Sequence, residues 1–588
     1  MKKIDFVDQT IRDAQQSLWA FLMRTDMITP IADIMDRVGF KVISTVGSNG
    51  FVVQVRYNNE NPWERVRLLS KAMPRTPLRG SFMTTSLASF DIDTPSDIIA
   101  LWIKRSVANG IKSFWICDYQ SDMDRFYHFA RLAKDEGTEV VIALMYTFSP
   151  VHTDEHWARK TRKIAEVKDC VDAIMIEDAG GVLTPERTRA LVSTVQQNSD
   201  GIPLEFHSHC NSGLAPLCYL EAIQSGVRIV HTAVSPLANG TSLPSTENIL
   251  KNARRLGYSS NLDEDALEAM SSHFRNIAEK EGLPMGTPTE YDLFHFDHQV
   301  PGGMMTNLKR QLKELGMEHR LEEVLEEIVL VRKEFGYPVM ATPFSQIVGV
   351  QAVENIVLGE RYKRITDEAI KYVMGYYGEP AAPIDQNVID RINSLPQAKK
   401  FINWKPQGRS KSIEELRQEI GPDLSDDELL LSTLIPGRSV KRDEPKKKVI
   451  STPKLTPAPV VAMTPSNPLP DFPAEFSVDV DGEVFSVKIS PVLDQTDKTL
   501  EVESPKEKRP KELPPGSVVS MMAGMIVDIK IKVGQRVNEG DEVATIEVMK
   551  LLREVHSPFD GVVREVCVNE GDMVNTGDIL MVVESNGK

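Results

Sequence analysis

The stretch AIMIEDAGGVLTPERTRALVSTVQQNSDGIPLEFHSH (173–209) contains a complete strand–helix–strand unit. Two runs rich in branched apolar residues, AIMIED (173–178) and PLEFHSH (203–209), enclose TPERTRALVSTVQQ (184–197). In this middle segment apolar residues recur every three or four positions, which predicts a helix. A parallel strand cannot be reached by a tight turn. The stretch therefore predicts two parallel strands joined by a crossover helix.

The same alternation runs through the first 240 residues. Segments such as TPSDIIALWIKRSVANG (94–110) predict helices between the strands. Six further strand-like runs are IDFVD (4–8), KVISTV (41–46), PLRGSF (77–82), SFWICD (113–118), VVIALMY (140–146) and RIVHTAV (228–234). Eight such units indicate an α/β chain that closes into a (β/α)8 TIM barrel, with an open doubly wound sheet as the alternative.

The chain changes character after residue 300. Amphipathic segments such as RLEEVLEEIVLVRKEFG (320–336) predict a helical C-terminal extension, and eight of the 36 prolines in 445–473 indicate a linker. Apolar and polar residues alternate in EFSVDVDGEVFSVKI (475–489), a hairpin pattern. The predicted domains are a barrel (1–300), a helical extension (301–444), a Pro-rich linker with a small hairpin module (445–515) and an all-β domain (516–588).

The last 70 residues contain an internal repeat. AGMIVDIKIKVGQRVNEGDEV (523–543) and DGVVREVCVNEGDMVNTGDIL (560–580) superpose at an offset of 37, so that Gly524 falls on Gly561 and Gly540 on Gly577. Matching glycines predict two similar β halves that form a flattened barrel. Between the halves, IEVMKLLREV (546–555) places Lys550 where a hairpin would present it.

Composition indicates which kinds of partner and which cellular compartment suit the chain. The net charge of −16 argues against nucleic acid as a partner. Five cysteines without a C-x-x-C pair suit reduced thiols in a cytosol. The start MKKIDFVDQT has no apolar region typical of a signal peptide, and no run reaches the roughly 18 apolar residues of a membrane span. We expect a cytoplasmic protein that could dock on a membrane partner.

Polar residues stand at the carboxyl ends of the predicted strands, where β/α barrels carry their chemistry. Alternation sends His207 and His209 to one face, where both rings could bind one metal ion. Zn²⁺, Mn²⁺ and Co²⁺ accept mixed nitrogen and oxygen ligands; the alternative is two ordinary polar residues at a strand end. The strand-end residues are Asp8, Arg12, Asp13, Arg79, Asp118, Glu177, Asp178, His207 and His209, with Thr241 in the loop after the eighth strand.

The segment around Lys550 resembles the biotinyl domains of biotin-dependent carboxylases. Their modified lysine lies in E-A/V-M-K-M, and this chain has Glu547-Val548-Met549-Lys550-Leu551. The resemblance implies biotin attached covalently to Lys550, next to Met549, by a biotin protein ligase.

The barrel and its extension resemble the carboxyltransferase domain of pyruvate carboxylase, transcarboxylase 5S subunits and oxaloacetate decarboxylase α subunits. The matching motifs are RDAQQS (12–17), NPWERVR (61–67), KAMPRTPLRG (71–80), SPLANGTSLPSTE (235–247), HQVPGGMMTNL (298–308) and ATPFSQIVG (341–349). With the linker and the biotinyl domain, the resemblance covers nearly the whole chain in the same order.

The resemblance implies roles for the residues that match these motifs. Asp13, His207 and His209 fall on metal ligands, Gln16 and Arg79 on residues that bind the keto acid, and Thr241 on the hydroxyl that moves a proton to or from biotin.

The chain departs from the family pattern at three places. Glu177 stands where the family has a carbamylated lysine as the fourth metal ligand, so we expect it to act as a shorter ligand. Val52 replaces an aspartate after the second strand, and Cys210-Asn211 replaces Asp-Thr.

Together these features predict a carboxyltransferase and biotin-carrier subunit that moves a carboxyl group between carboxybiotin and a small keto acid such as pyruvate or oxaloacetate. A separate biotin carboxylase subunit, or a decarboxylase partner, would charge or discharge the biotin, and we expect a homodimer. Two alternatives stay open at this point: a biotin carrier and scaffold with an inactive barrel, or a carboxyltransferase for a different organic acid.

Overall fold

The structure is a computed structural model. It describes residues 2–87, 94–118, 122–314, 316–402, 412–435, 475–480, 483–488, 514–520, 524–548, 551–575 and 577–584. The chain forms two units, one of residues 1–440 and 515–588 and the other of residues 441–514. Within the described ranges, no helix is long and apolar enough to cross a membrane.

Eight parallel strands form a closed barrel in sequence order. They are β1 (Asp5–Asp8), β2 (Val42–Gly47), β3 (Leu78–Met83), β4 (Ile111–Cys117), β5 (Glu139–Met145), β6 (Ala173–Asp178), β7 (Leu204–Ser208) and β8 (Ile229–Thr232), and β8 pairs with β1. Nearly every strand residue is buried, as expected for parallel strands covered by helices on the outside. Each strand overlaps its predicted run, so the barrel prediction is confirmed and the open-sheet alternative is wrong.

Several helices around the barrel follow residues whose side chains cap the first turn. Asn61, Asp122, Thr153, Thr184 and Ser245 each accept a hydrogen bond from a backbone N–H two or three residues further on. The main helices are Ser48–Arg56, Pro62–Ala72, Ser96–Ala108, Met123–Asp135, Asp154–Ala165, Pro185–Asn198, Ala215–Gln224, Thr246–Arg255 and Glu264–Glu281.

The helical extension has a hydrophobic core of its own, which runs from Val300 to Phe401. Its main helices are Gly302–Glu314, Leu321–Glu334, Phe344–Leu358, Asp367–Val373 and Gln386–Ser394. It also covers the carboxyl end of the barrel, because Ala341 packs with the barrel interior and Gln299 donates from its amide to the carbonyl oxygen of Phe148. The extension therefore closes the mouth where the strand-end residues lie.

Two later helices, Ile413–Ile420 and Asp426–Leu434, return to the barrel. Leu416 and Leu429–Leu431 join the barrel core rather than that of the extension. The Arg105 guanidinium contacts the Asp427 carboxylate at 2.7 Å. The Trp63 indole donates a hydrogen bond to the backbone carbonyl of Asp427. These helices thus fasten the end of the extension to the outside of the barrel.

The C-terminal β domain consists of two four-stranded antiparallel sheets around one core. The strands of the two halves match at the predicted offset: Gly524–Ile529 corresponds to Gly561–Val566, Arg536–Val537 to Met573–Val574, and Glu542–Val548 to Ile579–Glu584. Gly540 and Gly577 have φ values of 88° and 87°, which explains why glycine recurs at this turn. The predicted duplication is confirmed strand by strand.

In the second unit, the strands Glu475–Val480 and Glu483–Lys488 pair antiparallel. Val480 pairs with Glu483, which agrees with the hairpin predicted around residues 481 and 482. Apart from residues 514 and 515, the rest of the predicted linker lies outside the described ranges.

Candidate functional site: a cation-binding cluster at the barrel mouth

Asp13, His207 and His209 meet at the carboxyl end of the barrel. Asp13 lies on the short helical turn Thr10–Ala14 after β1, His207 is in β7, and His209 follows β7. The two Nε2 atoms are 3.2 Å apart, and an Asp13 carboxylate oxygen lies 3.4 Å from His209 Nε2 and the other 3.8 Å from His207 Nε2. One ligand atom from each residue lies within 4.8 Å of the others. All three side chains are buried.

The spacing and the protonation of these groups fit a divalent cation. Donors about 2.05 Å from a tetrahedral ion are separated by about 3.3 Å, close to the distances observed. His209 Nδ1 lies 2.8 Å from the backbone carbonyl of Thr241, which accepts a hydrogen bond only if Nδ1 carries the proton. The Nε2 lone pair of His209 then points to the cluster. Two close imidazole nitrogens beside a carboxylate form a donor set that suits a cation.

A series of buried side chains holds His207 in the tautomer that leaves its Nε2 unprotonated. His231 Nε2 lies 2.8 Å from the Glu205 carboxylate, and His231 Nδ1 lies 3.2 Å from His207 Nδ1. Burial lowers the pKa of both histidines, so both are neutral at pH 7. His231 therefore donates from Nε2 to Glu205 and accepts at Nδ1, where the Gln9 amide donates at 2.8 Å and the N–H of His207 faces the same lone pair at 3.2 Å. This leaves the Nε2 lone pair of His207 free for the cation.

Arg79 completes this series at the other end. Its guanidinium contacts Glu205 through two nitrogens, at 2.6 and 3.1 Å, and Glu139 at 2.9 Å. Arg79 and Glu205 are both fully buried, and the Arg79 charge holds the pKa of Glu205 well below its usual range despite burial. Glu205 is consequently an anion that can orient His231.

The predicted placement of Arg79 at a strand end is wrong. Arg79 is the second residue of β3, and its guanidinium is bound to carboxylates on β5 and β7 below the cluster. The carboxylates of Glu139 and Glu205 bind Arg79 at this level of the barrel. The sequence alone could not show that these two carboxylates face Arg79, because their position depends on the register of the strands. Its role in binding the keto acid stays a prediction.

Arg12 is the cation that the structure does bring to the mouth. Its guanidinium carbon lies 4.3 Å from the centre of the Trp115 ring, and its Nη1 donates to the Asp13 carboxylate. Its Nε is buried and has no hydrogen-bond partner among the described residues. The motif RDAQQS indicated that Arg12 lies near the cluster, since Arg12 directly precedes Asp13. Only the fold shows that the Nε–H of Arg12 has no acceptor among the described residues.

Glu177 lies beside the cluster without joining it. It pairs in register with His207 across β6 and β7, yet its carboxylate is not part of the group formed by Asp13, His207 and His209. A carboxylate oxygen of Glu177 is 4.0 Å from the Cys117 sulfur, and burial raises the pKa of Glu177 to about 8. Burial thus favours the neutral form of this side chain. Its predicted role as a metal ligand stays a prediction.

Thr241 is fixed from both sides of the mouth. Its hydroxyl donates to the backbone carbonyl of Ser17 at 3.0 Å, and its own carbonyl faces His209. A Cβ built on Gly302 would lie 2.0 Å from Thr241 Cγ2, so only glycine lets the first helix of the extension approach so closely. Gln16 lies one residue before Ser17 and is half-buried. The structure thus brings Thr241 to the mouth, and the roles of Thr241 and Gln16 stay predictions.

The remaining departures from the family pattern lie around this mouth. Asn211 donates from its amide to the carbonyls of Ala179 and Gly180, and its oxygen is buried without a partner in the described part of the chain. Cys210 is buried, and burial raises the pKa of its thiol, so it is not a nucleophile at neutral pH. Val52 packs against the barrel core.

Met549 and Lys550 lie outside the described residues. They fall between Val548 and Leu551, which pair across two antiparallel strands. The structure places Glu547, in the strand before them, 2.7 Å from Arg56 of the barrel.

Comparison with known protein families identifies three segments. Residues 3–273 match the HMGL-like family, residues 296–488 the conserved carboxylase domain, and residues 514–583 the biotin-requiring enzyme family. Together these matches cover the barrel, the extension and the C-terminal β domain.

Proteins similar in sequence cover between 69% and 95% of the chain. The chain is 37% identical to a pyruvate carboxylase subunit of Methanocaldococcus jannaschii, over 93% of this chain and 94% of that protein. It is 31% identical to the 2-oxoglutarate carboxylase large subunit of Hydrogenobacter thermophilus, over 95% of this chain and 91% of that protein. The methylmalonyl-CoA carboxyltransferase 5S subunit of Propionibacterium freudenreichii is 31% identical, over 69% and 79%.

The fold agrees with a solved structure. The carboxyl transferase domain of Rhizobium etli pyruvate carboxylase superposes with a TM-score of 0.66 at 21% identity, covering 74% of this chain and 76% of that one. With a barrel, an extension over its mouth and a C-terminal biotinyl domain in the order of its relatives, the chain belongs to the family of biotin-dependent carboxyltransferases of the pyruvate carboxylase type.

Proposed function

We propose that the chain transfers a carboxyl group between biotin on Lys550 and the carbon next to the keto group of a 2-oxo acid, with pyruvate, which has a methyl group there, as the first choice of acceptor. The observation that carries this proposal is the group formed by Asp13, His207 and His209 at the barrel mouth. Relatives named for pyruvate and for 2-oxoglutarate support the substrate class. A different organic acid as acceptor is the second candidate, because Val52 and Cys210-Asn211 depart from the family pattern.

Asp13, His207 and His209 would hold a divalent cation. Such an ion, when bound, would supply Lewis-acid polarisation of the acceptor's carbonyl group. Arg12 offers its unpartnered Nε–H to the acceptor's carboxylate, a charge-assisted hydrogen bond that fixes the methyl group toward Thr241. Gln16, half-buried and close to Ser17 in the sequence, is proposed to bind the same acid.

Thr241 is proposed to move the proton. As the C–N bond of carboxybiotin breaks and CO₂ leaves, the biotin nitrogen takes the proton of the Thr241 hydroxyl. The hydroxyl oxygen takes a proton from the acceptor's methyl group, and the resulting carbanion bonds to CO₂. One C–N bond and one C–H bond are broken, and one N–H bond and one C–C bond are formed.

The loading of biotin is assigned to other proteins. We propose that a biotin protein ligase attaches biotin to Lys550 and that a separate biotin carboxylase charges it. The similar proteins of Methanocaldococcus jannaschii and Methanothermobacter thermautotrophicus support this division of labour, since both are named as single subunits of pyruvate carboxylase. Homodimer formation remains an expectation of the sequence.

The test uses the full biotinylated chain with an added biotin carboxylase, ATP and ¹⁴C-bicarbonate. We expect acid-stable label to appear in product when pyruvate is added, and less or none with 2-oxoglutarate. The chain without the carboxylase should incorporate no label. If neither acid accepts label from a chain whose biotin is shown to be charged, the proposed substrate class is wrong.

A further inference from the structure

A single ion pair joins the biotinyl domain to the barrel among the ion pairs of the described residues. The Arg56 guanidinium lies 2.7 Å from the Glu547 carboxylate. The side chains are only 11% and 13% exposed, so both charges are largely shielded from solvent. Shielded charges of opposite sign attract each other more strongly than charges in open water. The contact is therefore more than a chance meeting of two long surface side chains.

Arg56 belongs to the mouth of the barrel. It ends the helix Ser48–Arg56, which follows β2 directly. Gly47, the last residue of β2, lies beside Arg12, because a Cβ built on Gly47 would be 3.4 Å from the Nε of Arg12. Arg12 in turn donates to Asp13 of the cation cluster. The helix that carries Arg56 thus starts next to the site where the carboxyl group is transferred.

Glu547 belongs to the end of the biotinyl domain that carries the acceptor lysine. It lies in the strand Glu542–Val548, three residues before Lys550. Three residues span at most about 11 Å of chain. An ion pair at Glu547 therefore fixes the region of Lys550 to the rim on which Arg56 lies.

We propose that Arg56 and Glu547 form the docking contact that seats the biotinyl domain on the barrel of its own chain. This inference rests on the proposed function, since it assigns the place where biotin on Lys550 enters the site. A single ion pair suits a carrier that must leave again, because the cost of removing two charges from water offsets much of their attraction. The alternative is that Arg56 binds the biotinyl domain of a second copy of the chain. The experiment distinguishes docking within one chain from docking between two chains.

Zero-length crosslinking tests the contact without any catalytic turnover. In Arg56→Lys, a carbodiimide joins the new amine to Glu547 only if the two side chains touch. We expect the 56–547 crosslinked peptide pair by mass spectrometry in the full chain, and its loss in Arg56→Lys/Glu547→Gln and at 1 M NaCl.

Isotope mixing then distinguishes docking within one chain from docking between two chains. Equal amounts of ¹⁵N-labelled and unlabelled Arg56→Lys chain are mixed before crosslinking. Docking within one chain gives peptide pairs that are both heavy or both light. Mixed pairs would show docking between chains and would overturn the proposal, as would the absence of the crosslink.

Charge reversal tests the consequence for transfer. We expect Arg56→Glu and Glu547→Arg each to lower carboxyl transfer per tethered biotin at least fivefold, and the double variant to recover most of it. Biotin occupancy is measured by mass spectrometry, because Glu547 lies in the modified segment. Biotin added in solution should react equally well with Arg56→Glu and wild type.

Glu554→Arg provides the matched control. Glu554 lies on the next strand of the same domain and pairs only with His556 among the ion pairs of the described part, at 3.4 Å. This reversal should leave transfer unchanged. Equal losses in Glu554→Arg and Glu547→Arg, or an equal loss with free biotin, would contradict the docking role. If wild type itself shows no transfer, the proposed function fails while the crosslink still decides the docking.

Discussion

At the residue scale, the site is organised by a buried chain that starts at Arg79 and ends at the cation cluster. Each link decides the protonation of the next: Arg79 keeps Glu205 ionised, and Glu205 fixes the tautomer of His231 and thus of His207. The sequence predicted Asp13, His207 and His209 together, because strand ends meet at one rim. It could not predict Glu205 and His231, since nothing in an apolar strand shows which partner faces a polar residue across the barrel.

The first prediction concerns the ligands of the cation. His209→Ala removes one of three nitrogen and oxygen donors and should abolish bound metal, measured by inductively coupled plasma mass spectrometry after dialysis. Glu177→Gln should retain metal within twofold of wild type, because the Glu177 carboxylate lies outside the group. Loss of metal in Glu177→Gln would show instead that Glu177 is a fourth ligand.

The second prediction separates the two arginines by the same substitution. Arg12→Met removes a charge-assisted hydrogen bond of about 1.5–3 kcal/mol to the acceptor, so KM for the 2-oxo acid should rise about 10- to 150-fold. Arg79→Met leaves Glu205 buried without its partner and should cost about 3–5 kcal/mol of folding free energy. Kinetics and urea unfolding measure both. A stable Arg79→Met with a raised KM would assign substrate binding to Arg79.

The third prediction is a pH dependence of stability. Burial raises the pKa of Asp8 to about 7, although two hydrogen bonds from Thr10 favour its charged form. Between pH 4 and pH 7 the folded chain keeps a proton that the unfolded chain has released, so this group makes stability fall as pH rises. The loss is at most about 4 kcal/mol.

Asp8→Asn should remove this slope. Tryptophan fluorescence follows barrel unfolding, because Trp19, Trp63, Trp102, Trp115 and Trp157 are all buried there. The stability of wild type relative to Asp8→Asn should decrease from pH 4.5 to pH 8. A constant difference across this range would contradict the buried neutral acid.

At the scale of elements, periodicity and repetition predicted most of the fold. The offset of 37 residues located every matched pair of strands in the biotinyl domain, since glycine turns recur with it. The helices of the extension were predicted from their apolar spacing, whereas the return of Asp426–Leu434 to the barrel was not. That return depends on Asp427 meeting Arg105, a contact between residues 322 positions apart.

The fourth prediction concerns the first helix of the extension. Gly302→Ala places a methyl group 2.0 Å from Thr241 Cγ2, so either the helix or Thr241 must move. We expect carboxyl transfer to fall at least tenfold while the far-ultraviolet circular dichroism stays that of wild type. Gly180→Ala is the control, since its Cβ would meet its nearest neighbour, Val182, at 3.6 Å, an ordinary contact. Equal activity of the two variants would show that this helix does not position Thr241.

At the scale of the whole molecule, one chain combines the carrier and the site that the carrier serves. The order of barrel, extension and biotinyl domain followed from composition and motifs. The contact of Glu547 with Arg56 could not be predicted, because two charged residues in separate domains carry no signal of their pairing in the sequence.

Isotope exchange by the biotinylated chain alone tests the central claim, transfer of a carboxyl group between biotin on Lys550 and a 2-oxo acid. The carboxyl group of unlabelled oxaloacetate passes to biotin and then to [¹⁴C]pyruvate, without ATP or a biotin carboxylase. We predict that label enters oxaloacetate with wild type and fails to enter with Thr241→Ala or Lys550→Arg. No exchange by a fully biotinylated wild type, or undiminished exchange by Lys550→Arg, would contradict the account.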